Sequence, residues 1–161
     1  MDQKTAFDDF VASVPAENRD FVEEVHNKLM KLGCKMEIKS AKSGYMVSYL
    51  SHKKTVANYV FRKKGMFVRI YGVHVNEYEN ILETLPDEMI REIQKAPACK
   101  RLADPDACNP KCSMGYDFWL KGEHYQKCRN RAFLFLVCPQ NNPAIQSLLL
   151  KEAEEWEKSK Y

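Results

Sequence analysis

The sequence predicts an α+β fold: an antiparallel sheet of four or more strands packed against helices, with a cysteine-rich extension and a C-terminal helix. Three observations carry this. Apolar residues follow a helical period through residue 31 and again after residue 142. Between residues 34 and 71 the period falls to two, in short runs broken by turns. From Cys99 to Cys138 the chain holds five of its six cysteines.

The 161 residues are most simply one domain, 1–161, with 98–138 as a cysteine-rich subregion. That length supports an apolar core without obligatory crosslinks. A composition of 45% hydrophobic and 29% charged residues belongs to a globular protein. No apolar run approaches the length of a membrane span. The opening MDQKTAFDDFVASV has no basic stretch leading into an apolar one, so the expected location is cytoplasmic.

Residues 3 to 12 form a short helix with Phe7, Phe10 and Val11 inward. Ser13-Val14-Pro15 breaks it, and Pro15 suits the first turn of a second helix over 15–31. That helix carries Phe21, Val22, Val25, Leu29 and Met30 on one side and stops at Gly33. Alternation in 34–39 and 45–50 around Lys42-Ser43-Gly44 reads as a hairpin, as do 56–61 and 66–71 around Lys63-Lys64-Gly65. Asn76 and Glu79 have capping-box spacing for a helix over 77–84. A further helix spans 87–95 and ends before Pro97. Strands follow at 116–120 and 125–128 about Lys121-Gly122, then a buried apolar strand over 131–138. Asn142-Pro143 opens the last helix, 143–158, with Ile145, Leu148, Leu149, Ala153 and Trp156 inward. Residues 98–138 could form a small second lobe or extend the main sheet.

Cysteines in a reducing compartment are more often metal ligands or redox centres than crosslinks. Cys99, Cys108, Cys112 and Cys128 are the metal-ligand candidates, because Cys108 and Cys112 have zinc-knuckle spacing and the segment is poor in apolar residues. Four thiolates suit zinc, or less readily an iron centre, held for structure rather than catalysis. The bland alternative is unpaired thiols or one disulfide. Thiol redox chemistry is disfavoured by the absence of a Cys-x-x-Cys motif. His124 and Asp106 are substitute ligands, whereas Cys34 and Cys138 read as small buried hydrophobes.

No phosphate loop, nucleophile elbow or His-Glu-x-x-His is present, so no catalytic residue is assigned. His26 reads as structural or exposed. Tyr45, Tyr49, Tyr59, Arg69 and His74, with His52, Arg62 and Tyr71, make an aromatic and basic set at alternating strand positions. The set suggests a ligand-binding sheet face, against the alternative of ordinary strand surface. Nucleic-acid binding through Lys100, Arg101, Lys111, Lys127, Arg129 and Arg131 would need those charges on one face. Residues 99–131 carry seven Lys or Arg against four Asp or Glu, and thiolate ligands would remove most of that excess.

Residues 1–95, with Phe7-Asp8-Asp9-Phe10-Val11, Val14-Pro15, a longer helix and a strand meander, resemble the small YdhG-like α+β domain of uncharacterised bacterial proteins. Cys108-Asn109-Pro110-Lys111-Cys112, Gly115-Tyr116 and Tyr125-Gln126-Lys127-Cys128-Arg129 resemble the tail of small proteins from clostridial-type anaerobes. The resemblance implies a cytoplasmic bacterial protein and assigns no activity. The expected function is that of a small-molecule- or protein-binding domain with a structural four-cysteine metal centre. A redox enzyme or sensor, or a nucleic-acid-binding protein, stands as the alternative.

Overall fold

The computed structural model describes residues 3–41, 44–103, 106 and 115–158. Helix α1 (Gln3–Ser13) buries Phe7, Phe10 and Val11, as its spacing requires. Helix α2 (Ala16–Lys31) begins one residue after Pro15, which occupies the cap position rather than the first turn. Gly33 ends it with φ +88°, a conformation that costs glycine little and other residues more.

Strands β1 (Lys35–Ala41), β2 (Gly44–Ser51), β3 (Lys54–Arg62) and β4 (Gly65–Ile70) form an antiparallel meander. Its inner face carries Val47, Tyr49, Tyr59, Val68 and Ile70, all buried. Phe10 of α1 meets the rings of Tyr45, Tyr59 and Phe61 at 5.6–6.1 Å, which closes one end of the core. The turn between β2 and β3 places two non-glycine residues, His52 (φ 52°) and Lys53 (φ 67°), in the left-handed region.

After β4 the chain makes a 3₁₀ turn (Val75–Glu77), helix α3 (Glu79–Leu82) and helix α4 (Asp87–Lys95). The single capped helix expected over 77–84 is therefore split. Asn76 Nδ2 donates to Glu79 Oε2 (3.0 Å) and to the carbonyl of Asp117 (2.8 Å), so its side chain ties this segment to the next hairpin instead of capping a helix.

A short helix, α5 (Lys100–Ala103), precedes the hairpin of β5 (Tyr116–Leu120) and β6 (Glu123–Lys127), which is a separate two-stranded sheet. Strand β7 (Leu134–Leu136) instead joins the main sheet beside β4, giving the order β1-β2-β3-β4-β7. The apolar run 131–138 thus yields only three strand residues. The amides of Arg131 and Ala132 bond back to the carbonyl of Cys128 and turn the chain first. Tyr116, Phe118, Leu120 and Phe133 share one apolar cluster with the sheet.

Helix α6 (Asn142–Lys158) lies across the inner face against α2, β2 and β3. It carries Ile145, Leu148, Leu149 and Ala153 into the core, and also Glu152. Among the described residues no helix is long and apolar enough to cross a membrane.

Candidate functional site

The expected four-cysteine zinc centre is corrected by the structure. Among the described residues no group of three or more His, Cys, Asp or Glu side chains is placed to hold a metal ion. The described cysteines form no disulfide. Cys108 and Cys112 lie outside the described residues. Around Cys99 and Cys128, hydrogen bonds rather than an ion hold the chain. Cys99 N donates to the carbonyl of Gln126 (2.9 Å) and Cys128 N to that of Pro97 (2.8 Å). Lys127 Nζ, itself buried, bonds the carbonyls of Gln94 (2.7 Å) and Ala96 (2.8 Å) at the end of α4. The sulfur of Cys99 accepts the Gly115 amide at 3.2 Å. The substitute ligands go elsewhere: His124 Nε2 pairs with Asp117 Oδ1 at 2.6 Å on the exposed hairpin, and Asp106 is exposed. Hydrogen bonds from His124 and then Gln126 hold the Asp117 carboxyl below its ordinary range. Cys34 is buried as expected, and burial pushes its thiol up to about 11.

Of the five residues assigned to a ligand-binding sheet face, Tyr45, Tyr59 and Arg69 border one cavity of about 240 Å³, while Tyr49 and His74 lie elsewhere. Tyr49 and Tyr59 are core residues, 1% and 5% exposed, and Tyr45 packs beside them on Phe10. Tyr49 bonds His26 Nδ1 through its hydroxyl (2.9 Å). Arg69 pairs across β3 with Asn58, one residue out of step with Val68 and Ile70, so it lies on the opposite face. Its Nε donates to the carbonyl of Asn130 at 2.8 Å. His74 follows the sheet and belongs to a third environment. Alternation in the sequence counted all the strand tyrosines as one set but left open which face α1, α2 and α6 would cover.

At His74 the structure assembles a constellation. Glu152, 0% exposed on α6, accepts three hydrogen bonds: from His74 N (3.0 Å), from His74 Nδ1 (2.7 Å) and from the Tyr78 hydroxyl (2.7 Å). The turn at 72–78 permits this. The Val75 amide bonds the carbonyl of Gly72 (3.0 Å), leaving the His74 amide for the carboxylate. Gly72 is required here because a Cβ at that position would stand 2.8 Å from the Phe133 ring. Burial, and then the charge of Glu152, push the Tyr78 hydroxyl well above its ordinary range, so it stays protonated and donates.

A carboxylate only accepts, so Nδ1 of His74 carries a proton, and whenever the ring is neutral its lone pair is on Nε2. The His74 side chain remains 22% exposed while its partner is sealed. Trp156, one helical turn beyond Glu152, meets the His74 ring edge-on at 5.1 Å and the His52 ring at 5.7 Å. Its indole Nε1 is buried and has no hydrogen-bond partner among the described residues. His52 also lines a cavity of about 630 Å³ with Gly33, Lys35, Met36, Glu37, Leu50 and Lys53. That volume is in the range that small ligands occupy.

Glu152 and Tyr78 were missed in the sequence. The signal was present, since Glu152 falls on the apolar stripe of the last helix, between Leu148 and Trp156. A charge at a core-facing helical position demands buried partners. No protein-family model, curated protein or solved structure matches this chain.

Proposed function

We propose that the protein binds a small polar molecule at the corner formed by His74, Trp156 and His52, with His74 Nε2 as the accepting group. One observation carries this reading: a fully buried carboxylate fixes the tautomer of a histidine that is itself partly exposed. Stability alone is a poor explanation, because a buried ionic group is commonly no better than an apolar residue of similar size. A carboxylate that orients a histidine is the arrangement used to present a defined basic nitrogen to a ligand or to a transferable proton. The Trp156 ring, edge-on to His74, supplies an aromatic wall beside that acceptor. A ligand with an acidic O–H group, such as a hydroxy acid, matches that acceptor.

The test is a nuclear magnetic resonance titration of the intact, reduced protein with glycolate, lactate and a panel of hydroxylated fragments at millimolar concentration. The expected result is that one class shifts the His74 Nε2 and Trp156 indole resonances together, and that Glu152→Gln abolishes the response. A panel that moves neither resonance would remove the proposal.

A further inference from the structure

We infer that the chain self-associates through β1, the free edge of the sheet, pairing antiparallel with β1 of a second copy about a two-fold axis at Ile38. The two five-stranded sheets would then run on as one.

β1 is seven residues long and pairs with β2 along its whole length, but among the described residues no strand lies on its other side. Alternate N–H and C=O groups of such a strand point away from the sheet and form a template for another strand. The opposite edge offers far less, because β7 has three residues and packs against α4.

Charged side chains commonly protect exposed edges. Here Lys35, Glu37 and Lys39 are exposed, while Ile38 is 6% exposed on the inner face. Whether these charges block pairing or direct it depends on register. Inward residues must face inward residues, which leaves only registers that shift by two. Centred on Glu37, the pairing sets Glu37 against its own counterpart and Lys35 against Lys39 twice, so every charged contact is repulsive. Centred on Lys39, it sets that lysine against itself and shortens the overlap. Centred on Ile38, it aligns all of Lys35–Ala41 end to end. That register places Glu37 of each copy opposite Lys39 of the other, and Ile38 opposite Ile38. The register that pairs the most backbone is thus the one that pairs opposite charges. An interface in which the same patch serves both copies closes on itself as a dimer rather than growing into a fibre.

The test is sedimentation equilibrium of the reduced wild-type chain from micromolar to millimolar concentration at low salt, with Lys39→Glu, Glu37→Lys and the double exchange E37K/K39E. Both residues are exposed, and circular dichroism checks that each variant is folded. The expected result is a monomer–dimer equilibrium that either single change weakens by about tenfold or more, since two attractive cross-strand pairs become repulsive. The double exchange recovers it. A monomer across the whole range overturns the inference. So does a dimer indifferent to Lys39→Glu, or a double variant as weak as the single ones.

Discussion

Replacing Glu152 by alanine should destabilise the protein by about 3–5 kcal/mol, the summed cost of orphaned buried donors and the void left behind. The structure shows where the loss arises. Tyr78, 2% exposed, loses the acceptor of its hydroxyl, and a buried donor without a partner costs about 1–3 kcal/mol. The backbone amide of His74 loses its acceptor too, and a void opens at a site with no solvent access. The His74 ring, being partly exposed, regains water and contributes less. Glutamine behaves differently. Its carbonyl oxygen can keep the bonds from His74 N and Tyr78, while its amide nitrogen replaces Oε2 and must donate. His74 Nδ1 then has to accept, and the ring proton moves to Nε2. Glu152→Gln should therefore cost only about 1–2 kcal/mol and invert the tautomer. Urea unfolding of the two variants at one pH measures the first effect, and imidazole ¹⁵N shifts measure the second. A cost below about 1 kcal/mol for Glu152→Ala, no more than an average substitution, would refute the account of a buried charge network. A wild-type His74 protonated on Nε2 alone would refute the assigned orientation.

The remaining expectations concern the frame around this corner. Lys53→Gly should raise stability by about 0.5–1 kcal/mol, because a left-handed residue with a Cβ is strained. The β5–β6 turn already has Gly122 in the matching position after Lys121, and the urea midpoint checks the gain. Lys127→Met should cost about 1–3 kcal/mol, because it keeps the apolar stem but abandons two carbonyls at the end of α4. Amide exchange should then accelerate first around residues 94–99. Burial lowers the proton affinity of His26, stacked on Phe7 at 4.0 Å and bonded to Tyr49. The unfolded chain, with an imidazole pKa of about 6.5, therefore binds the proton more readily. The contribution of His26 is present above that value and is lost as pH falls below it. His26→Gln should flatten the decline in unfolding midpoint between pH 7 and pH 5, and an unchanged decline would show that other groups cause it.

Much of the fold was legible because it rests on local periodicity. The alternation of Tyr45 to Leu50 and the helical spacing of Phe21, Val22, Val25 and Leu29 each follow from the geometry of one element. The errors lie where a distant group competes for a local one. Asn76 has capping spacing but spends its amide partly on Asp117, and the 131–138 run is bent by bonds to Cys128 before it can pair as a strand. The thiols misled for a related reason. Spacing along the chain says little about convergence, and what ties residues 94–99 to 126–128 is Lys127 together with two backbone bonds.

By itself, then, the sequence determined the class of the fold, the meander, the core face of α1, that of α2 apart from Met30, which is 44% exposed, and the buried state of Cys34. Each of these depends on residue type and near neighbours alone. Only the tertiary structure decided that Glu152 meets both His74 and Tyr78 from more than seventy residues away. It also decided that Tyr49 and Tyr59 are buried in the core, against His26 of α2 and Phe10 of α1. The reason is physical: a buried charge is tolerated only where donors from separate elements converge, and that convergence belongs to packing.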